Sequence, residues 1–164
     1  MRMKIFRIVT AVLLVSLMIA IFCFSAQNAT ESSGTSGRVI SAFIRIFNPS
    51  FDELTPQEQQ NLIEPFQFIV RKGAHFSVYA LMGLLAFFSV ITYKQLNIKY
   101  RYILSGGICL IYAISDEIHQ HFIVGRSCEL RDVLIDFSGS VLSIIFITLL
   151  LKLKIFRKFK AVLF

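Results

Sequence analysis

At 164 residues the chain has room for one domain of ordinary size. A hydrophobic share of 55% and a mean hydropathy of +0.69 place it well above a water-soluble globule. The formal charge of +7 raises a nucleic-acid partner, but its distribution along the chain argues against one.

Arg2, Lys4 and Arg7 precede 17 uncharged residues, Ile8 to Phe24. A basic start before an apolar run resembles a signal peptide. Phe22 and Phe24 are poor neighbours for a small-residue cleavage site, and Phe22 before Cys23 does not suit a lipoprotein signal. The reading is an uncleaved first transmembrane helix over roughly 6–25.

Residues 26–72 read as one long extracytoplasmic loop. Glu31 to Gly37, rich in Ser and Gly, reads as flexible. Val39, Ile40, Phe43, Ile44 and Phe47 recur at helical spacing and predict a short helix on the membrane surface, ended by Asn48-Pro49. Thr55-Pro56-Gln57-Glu58 has the form of a capping box with Pro at the first helical position, so a second short helix should start there. Pro65 then offers a restart into the membrane.

Gly73 to Tyr93 is long enough to cross a hydrocarbon core of about 30 Å. Tyr102 to Ser115 offers only 14 uncharged residues, roughly 21 Å of helix at about 1.5 Å per residue. The third span must therefore run over roughly 102–124, carrying Asp116 and Glu117 into the outer part of the membrane. Gly125-Arg126 makes the turn, and a fourth helix follows over roughly 132–151. Gly83, Gly106, Gly107 and Gly139 read as positions of close helix packing.

Charge orients these spans. The N-terminal segment, the 94–101 loop and the 152–164 tail hold eleven of the seventeen cations and none of the ten acids. Positive charge marks the cytoplasmic face. The expectation is an all-α membrane protein of four transmembrane helices, one domain over 1–164, with both termini cytoplasmic and short interfacial helices in the first outer loop. The basic tail beside anionic lipid needs no nucleic acid to explain it. Cys23, Cys109 and Cys128 have no CxxC spacing, so neither a disulfide framework nor a zinc site is expected.

The outer ends carry the polar groups. Asp116 with Gln120, Glu117 with His121, Asp132 with Asp136, and Arg71 with His75 are i,i+4 pairs on single helix faces. Acids inside a membrane segment cost roughly 2.5–3.5 kcal/mol at the helix centre and should face the bundle or a water-filled recess. Two readings stand side by side. In the first, Arg126 or Arg71 pairs with Asp116 or Asp136 and simply locks three helices together. In the second, Arg71, Lys72, His75, Asp116, Glu117, Gln120, Arg126, Asp132 and Asp136 line a ligand pocket. A metal site built from His75, Asp116, Glu117 and His119 or His121 has ligand types that suit zinc or a harder ion, but Asp-Glu-x-His-x-His is not a known metal spacing, so no metal and no cofactor are expected, and His119 and His121 read as interfacial polar residues.

Arg71-Lys72-Gly-Ala-His75-Phe-x-x-Tyr79, Ser115-Asp116-Glu117-x-x-Gln120, Gly125-Arg126 and Asp132-x-x-x-Asp136-x-x-Gly139 resemble the VanZ-like family of bacterial membrane proteins. Phe24-Ser25-Ala26-Gln27 is similar to that family's opening motif, and Val124 stands where many relatives have Pro. The resemblance implies a small helical protein of a bacterial envelope, linked through its namesake to teicoplanin susceptibility, and it supplies no agreed catalytic residues. On that basis the pocket would bind a lipid-linked cell-wall intermediate or the acyl part of a lipoglycopeptide, with membrane lipids as partners and an oligomer left open. The alternative is an intramembrane enzyme on a lipid phosphate or surface polymer, with His75, Asp116 and Glu117 as catalytic candidates.

Overall fold

The computed structural model describes residues 2–153, which are helical throughout apart from short connections. The tail cations Lys154, Arg157, Lys158 and Lys160 lie outside the described residues. The helices are α1 (Arg2–Ser25), α2 (Ala29–Phe47), α3 (Pro56–Ile91), α4 (Ile98–His121) and α5 (Leu130–Leu150), with a 3-10 turn at Pro49–Glu53 between α2 and α3. α3 is the centre of the bundle and packs against each of the other four.

Among the described residues three helices are long and apolar enough to cross a membrane: Met3–Ser25, Pro56–Ile91 and Leu130–Leu150. α4, 24 residues and about 36 Å at 1.5 Å per residue, is also long enough, but carries more polar groups. Their placement is inverted relative to a soluble helix. Arg101, Asp116, Glu117 and Gln120 are buried, while Ile103, Ile111, Ile114 and Ile118 are exposed, Ile111 at 70%. An outward face of this kind needs an apolar surrounding to be stable.

The outer loop is the main departure from the sequence reading. Residues 31–37 are helical rather than flexible, and the short helix expected near 39–47 is the second half of a 19-residue α2. Asn28 caps it: its side chain accepts from Glu31 N at 2.9 Å, and Glu31 accepts in return from Asn28 N at 3.0 Å. This box satisfies helix-end donors that would otherwise need water. Within α2, Thr35, Ser36 and Ser41 donate back to carbonyls three or four residues earlier, so the hydroxyls are used inside the helix. Tertiary packing does the rest, with Ile40 and Phe51 buried against Ile63 of α3.

The second correction concerns Pro65. The Thr55–Glu58 capping box forms, with Pro56 at the first position, but the helix it starts is not short. α3 runs 36 residues from there through Pro65 to Ile91, about 54 Å of helix, so the segment expected at 73–93 is only its second half. Pro65 costs the backbone one donor and does not end the helix. α4 stops at His121 rather than near Val124, and α5 begins at Leu130, two residues before the expected start.

Close helix packing is concentrated between α3 and α5. A Cβ on Gly139 would overlap the carbonyl of Phe76, and one on Gly83 would overlap the backbone of Ser140. Ser140 Oγ donates to the Tyr79 carbonyl at 2.9 Å across the same seam. Gly106 and Gly107 do not share this role, because nothing lies within 4 Å of a Cβ at either. At the opposite end of the bundle Arg101 donates to the carbonyls of Ile91, Lys94 and Leu96, closing the end of α3, and Arg7 is bonded to Thr92.

Candidate functional site

α3 and α5 meet through two polar rungs one helical turn apart. Lys72 pairs with Asp132, and His75 Nδ1 lies 3.5 Å from Asp136 Oδ1. The i,i+4 spacing of Asp132 and Asp136 puts both on the face of α5 that looks at α3. These acids therefore answer Lys72 and His75, and the pairing expected of Arg71 or Arg126 with Asp116 or Asp136 does not form.

Asp116, only 3% exposed, sits deeper between α1, α3 and α4. Its Oδ2 accepts from Ser25 Oγ at 3.0 Å, Tyr79 Oη at 3.2 Å and Gln120 Nε2 at 3.1 Å. Its Oδ1 is buried with no hydrogen-bond partner among the described residues. Gln120 is thereby oriented: with its nitrogen on Asp116, its oxygen faces outward and accepts from Arg126 Nη1 at 2.6 Å. Glu117 turns to the connecting loop and accepts from Glu129 N at 2.6 Å, helping to fix the start of α5. His121, its expected face-mate, is exposed.

Ser25 and Tyr79 were not among the expected site residues, yet both bind the central carboxylate. The available signals were the Phe24-Ser25-Ala26-Gln27 motif and the spacing of His75 and Tyr79, four apart on the buried side of α3. His119 stacks on Phe22 at 4.2 Å between ring centroids.

Gly125 sets the approach of Arg126. Its φ of +76° is a left-handed conformation that a side chain would strain, and an added Cβ would also press on Ala29 Cβ at 3.0 Å. The Arg126 amide then donates to the Ile123 carbonyl at 3.1 Å, closing the turn. Burial, and after it the neighbouring charge of Arg71, push the Arg126 guanidinium below its ordinary value. The nearby Asp116, Glu117 and Asp132 act in the opposite sense.

The two arginines are the unbalanced part of the cluster. Among the described residues Arg71 makes no hydrogen bond or ion pair, and the Arg126 guanidinium bonds only the neutral amide of Gln120. Both line a small polar cavity of about 120 Å³ with Lys72, His75, Gln120, Glu129 and Asp132. Among the described residues no three His, Cys, Asp or Glu side chains are grouped so as to hold a metal ion.

An all-helical bundle with membrane-length apolar helices and a buried polar cluster at one end defines the class. Within it, the sequence model of the VanZ/LLP1 family matches residues 10–152, and the chain belongs to that family. No curated protein and no solved structure matched the chain.

Proposed function

We propose that the chain is a multi-pass envelope protein that binds an anionic, lipid-linked ligand in its outer polar cavity and thereby alters susceptibility to teicoplanin-type glycopeptides. All four long helices cross the membrane in this reading, α4 presenting its isoleucines to lipid and its charges to the bundle. The termini lie in the cytoplasm, as the one-sided cation distribution favours. The observation that carries the proposal is the Arg71–Arg126 pair, two neighbouring guanidiniums with no ion-paired carboxylate among the described residues, in a cluster that has several carboxylates. Bringing like charges together in a half-buried site is costly unless an anion completes it, and guanidiniums grip phosphate in a bidentate way.

The test is teicoplanin and vancomycin susceptibility of a host lacking the protein, with wild type, Glu117→Gln and Arg126→Ala restored at matched membrane levels. Wild type and Glu117→Gln should raise teicoplanin tolerance, because Gln keeps the oxygen that accepts from Glu129. Arg126→Ala should not. Equal restoration by all three would reduce the cluster to packing, and no effect from wild type would remove the resistance reading.

A further inference from the structure

A second and larger cavity, about 350 Å³, lies between α1, α2 and α3. Its walls are mainly apolar, with Leu17, Ile21, Phe24, Val39, Val70 and Val78 among them. Three residues, Arg71, His75 and Arg126, line both this cavity and the small polar one, so they form the boundary between the two. An inorganic anion would use the arginines and leave the apolar space unexplained. A neutral hydrocarbon would do the reverse. A molecule with one oxyanion and one hydrocarbon chain uses both.

Resting on the anion-binding reading above, the geometry points to a ligand that is a single-chain phosphate monoester, its head between Arg71 and Arg126 and its chain in the α1/α2/α3 cavity. The charge fits. Lys72 and Arg131 are ion-paired and His75 faces Asp136, whereas among the described residues Arg71 and Arg126 have no carboxylate within ion-pair distance, Asp116 and Glu117 acting on Arg126 only from further away. A phosphate monoester carries about −1.5 to −2 at neutral pH, whereas a diester carries a single charge. The size fits one chain rather than two, since the cavity lies near the lower end of the roughly 300–1,000 Å³ used for compact ligands. A bilayer already solvates the chain, so hydrocarbon burial adds little drive here. The cavity acts by shape, admitting the chain that brings the head to the arginines.

The experiment is native mass spectrometry of the full-length chain released from detergent micelles, with dodecyl phosphate, dodecanol, inorganic phosphate and phosphatidylglycerol as separate probes. Three variants accompany wild type: Arg126→Ala at the head, and Ala74→Phe on α3 and Ala20→Phe on α1 to fill the apolar cavity from two sides. Thermal unfolding identifies any variant that has lost its fold, and the second cavity-filling variant then carries the test. Dodecyl phosphate should bind at least about tenfold more tightly than any other probe, equivalent to about 1.4 kcal/mol. A folded cavity-filling variant should lose that margin while its weak binding of inorganic phosphate is unchanged, and Arg126→Ala should weaken both phosphates. If inorganic phosphate or phosphatidylglycerol binds as well as dodecyl phosphate, or if filling the cavity changes nothing, the single-chain seat is overturned and the anion site stands. If Arg126→Ala leaves both phosphates unaffected, the anion-binding reading itself fails.

Discussion

Arg126 reaches Gln120 and not an acid: its Nη1 donates to Gln120 Oε1 at 2.6 Å, and Gln120 presents that oxygen because its nitrogen is committed to Asp116 at 3.1 Å. The buried carboxylate thus positions the arginine through an amide, without neutralising it directly. Asp116→Asn should be the milder change, since its oxygen can sit where Oδ2 receives three donors, at the cost of a buried amide nitrogen where Oδ1 has no partner among the described residues. Asp116→Ala should cost about 1–3 kcal/mol, because the Tyr79 hydroxyl and the Gln120 amide lose their acceptor. It should also weaken dodecyl phosphate binding. Thermal unfolding and binding of both variants decide the matter, and equal damage from Asn and Ala would mean that the negative charge itself is required.

The α3–α5 seam should be intolerant of any side chain at two glycines. Gly139→Ala and Gly83→Ala each place a Cβ into backbone of the facing helix, a neighbour that cannot rotate away. Overpacking of this kind costs about 1–3 kcal/mol or more. Gly106→Ala and Gly107→Ala meet open space and should be neutral or stabilising by up to about 1 kcal/mol from helix propensity. Unfolding of the four variants in one detergent compares them directly, and a similar loss at all four would contradict the assigned packing.

Lys72 and Asp132 should be energetically coupled. Their side chains are 14% and 18% exposed, between the solvent-exposed pairs worth about 0–1 kcal/mol and the buried pairs that cost about 3–5 kcal/mol to break. Lys72→Met and Asp132→Asn should each cost about 1–3 kcal/mol, and the double variant less than their sum. A double-mutant cycle reads the coupling, and additivity within about 0.5 kcal/mol would deny it.

The first turn of α2 depends on a cap. Asn28→Ala should destabilise that turn by about 1 kcal/mol, with little effect on the bundle. Hydrogen exchange in the wild-type protein should show residues 31–37 protected, and the variant should lose protection there first. Coil-like exchange in the wild type would refute the helix.

Ser32, Ser33, Gly34 and Gly37 disfavour helix individually, and on local propensity the segment looks flexible. The missed signal was Asn28 three residues before Glu31, the same device as the one recognised at Thr55 and Glu58. A cap tells where a helix can start, whereas the burial of Ile40 on Ile63 makes this one persist. Pro65 misled in the opposite direction: a proline removes one bond, and neighbours on both sides can keep the helix intact.

Membrane character, the apolar helices, the turn at Gly125 and the residue types at the site were all legible in the order of the amino acids. Hydropathy, charge distribution and i,i+4 spacing are properties of single segments. The pairing of those residues was not legible. Spacing places Asp116, Asp132 and Asp136 on faces but does not say which cation each face meets, because that depends on how α3, α4 and α5 are rotated against one another. The glycines at 83 and 139 set that rotation by letting α3 and α5 approach backbone to backbone. Only the folded bundle then directs Lys72 and His75 to the acids of α5 and leaves Arg71 and Arg126, between a polar and an apolar cavity, with no ion-paired carboxylate among the described residues.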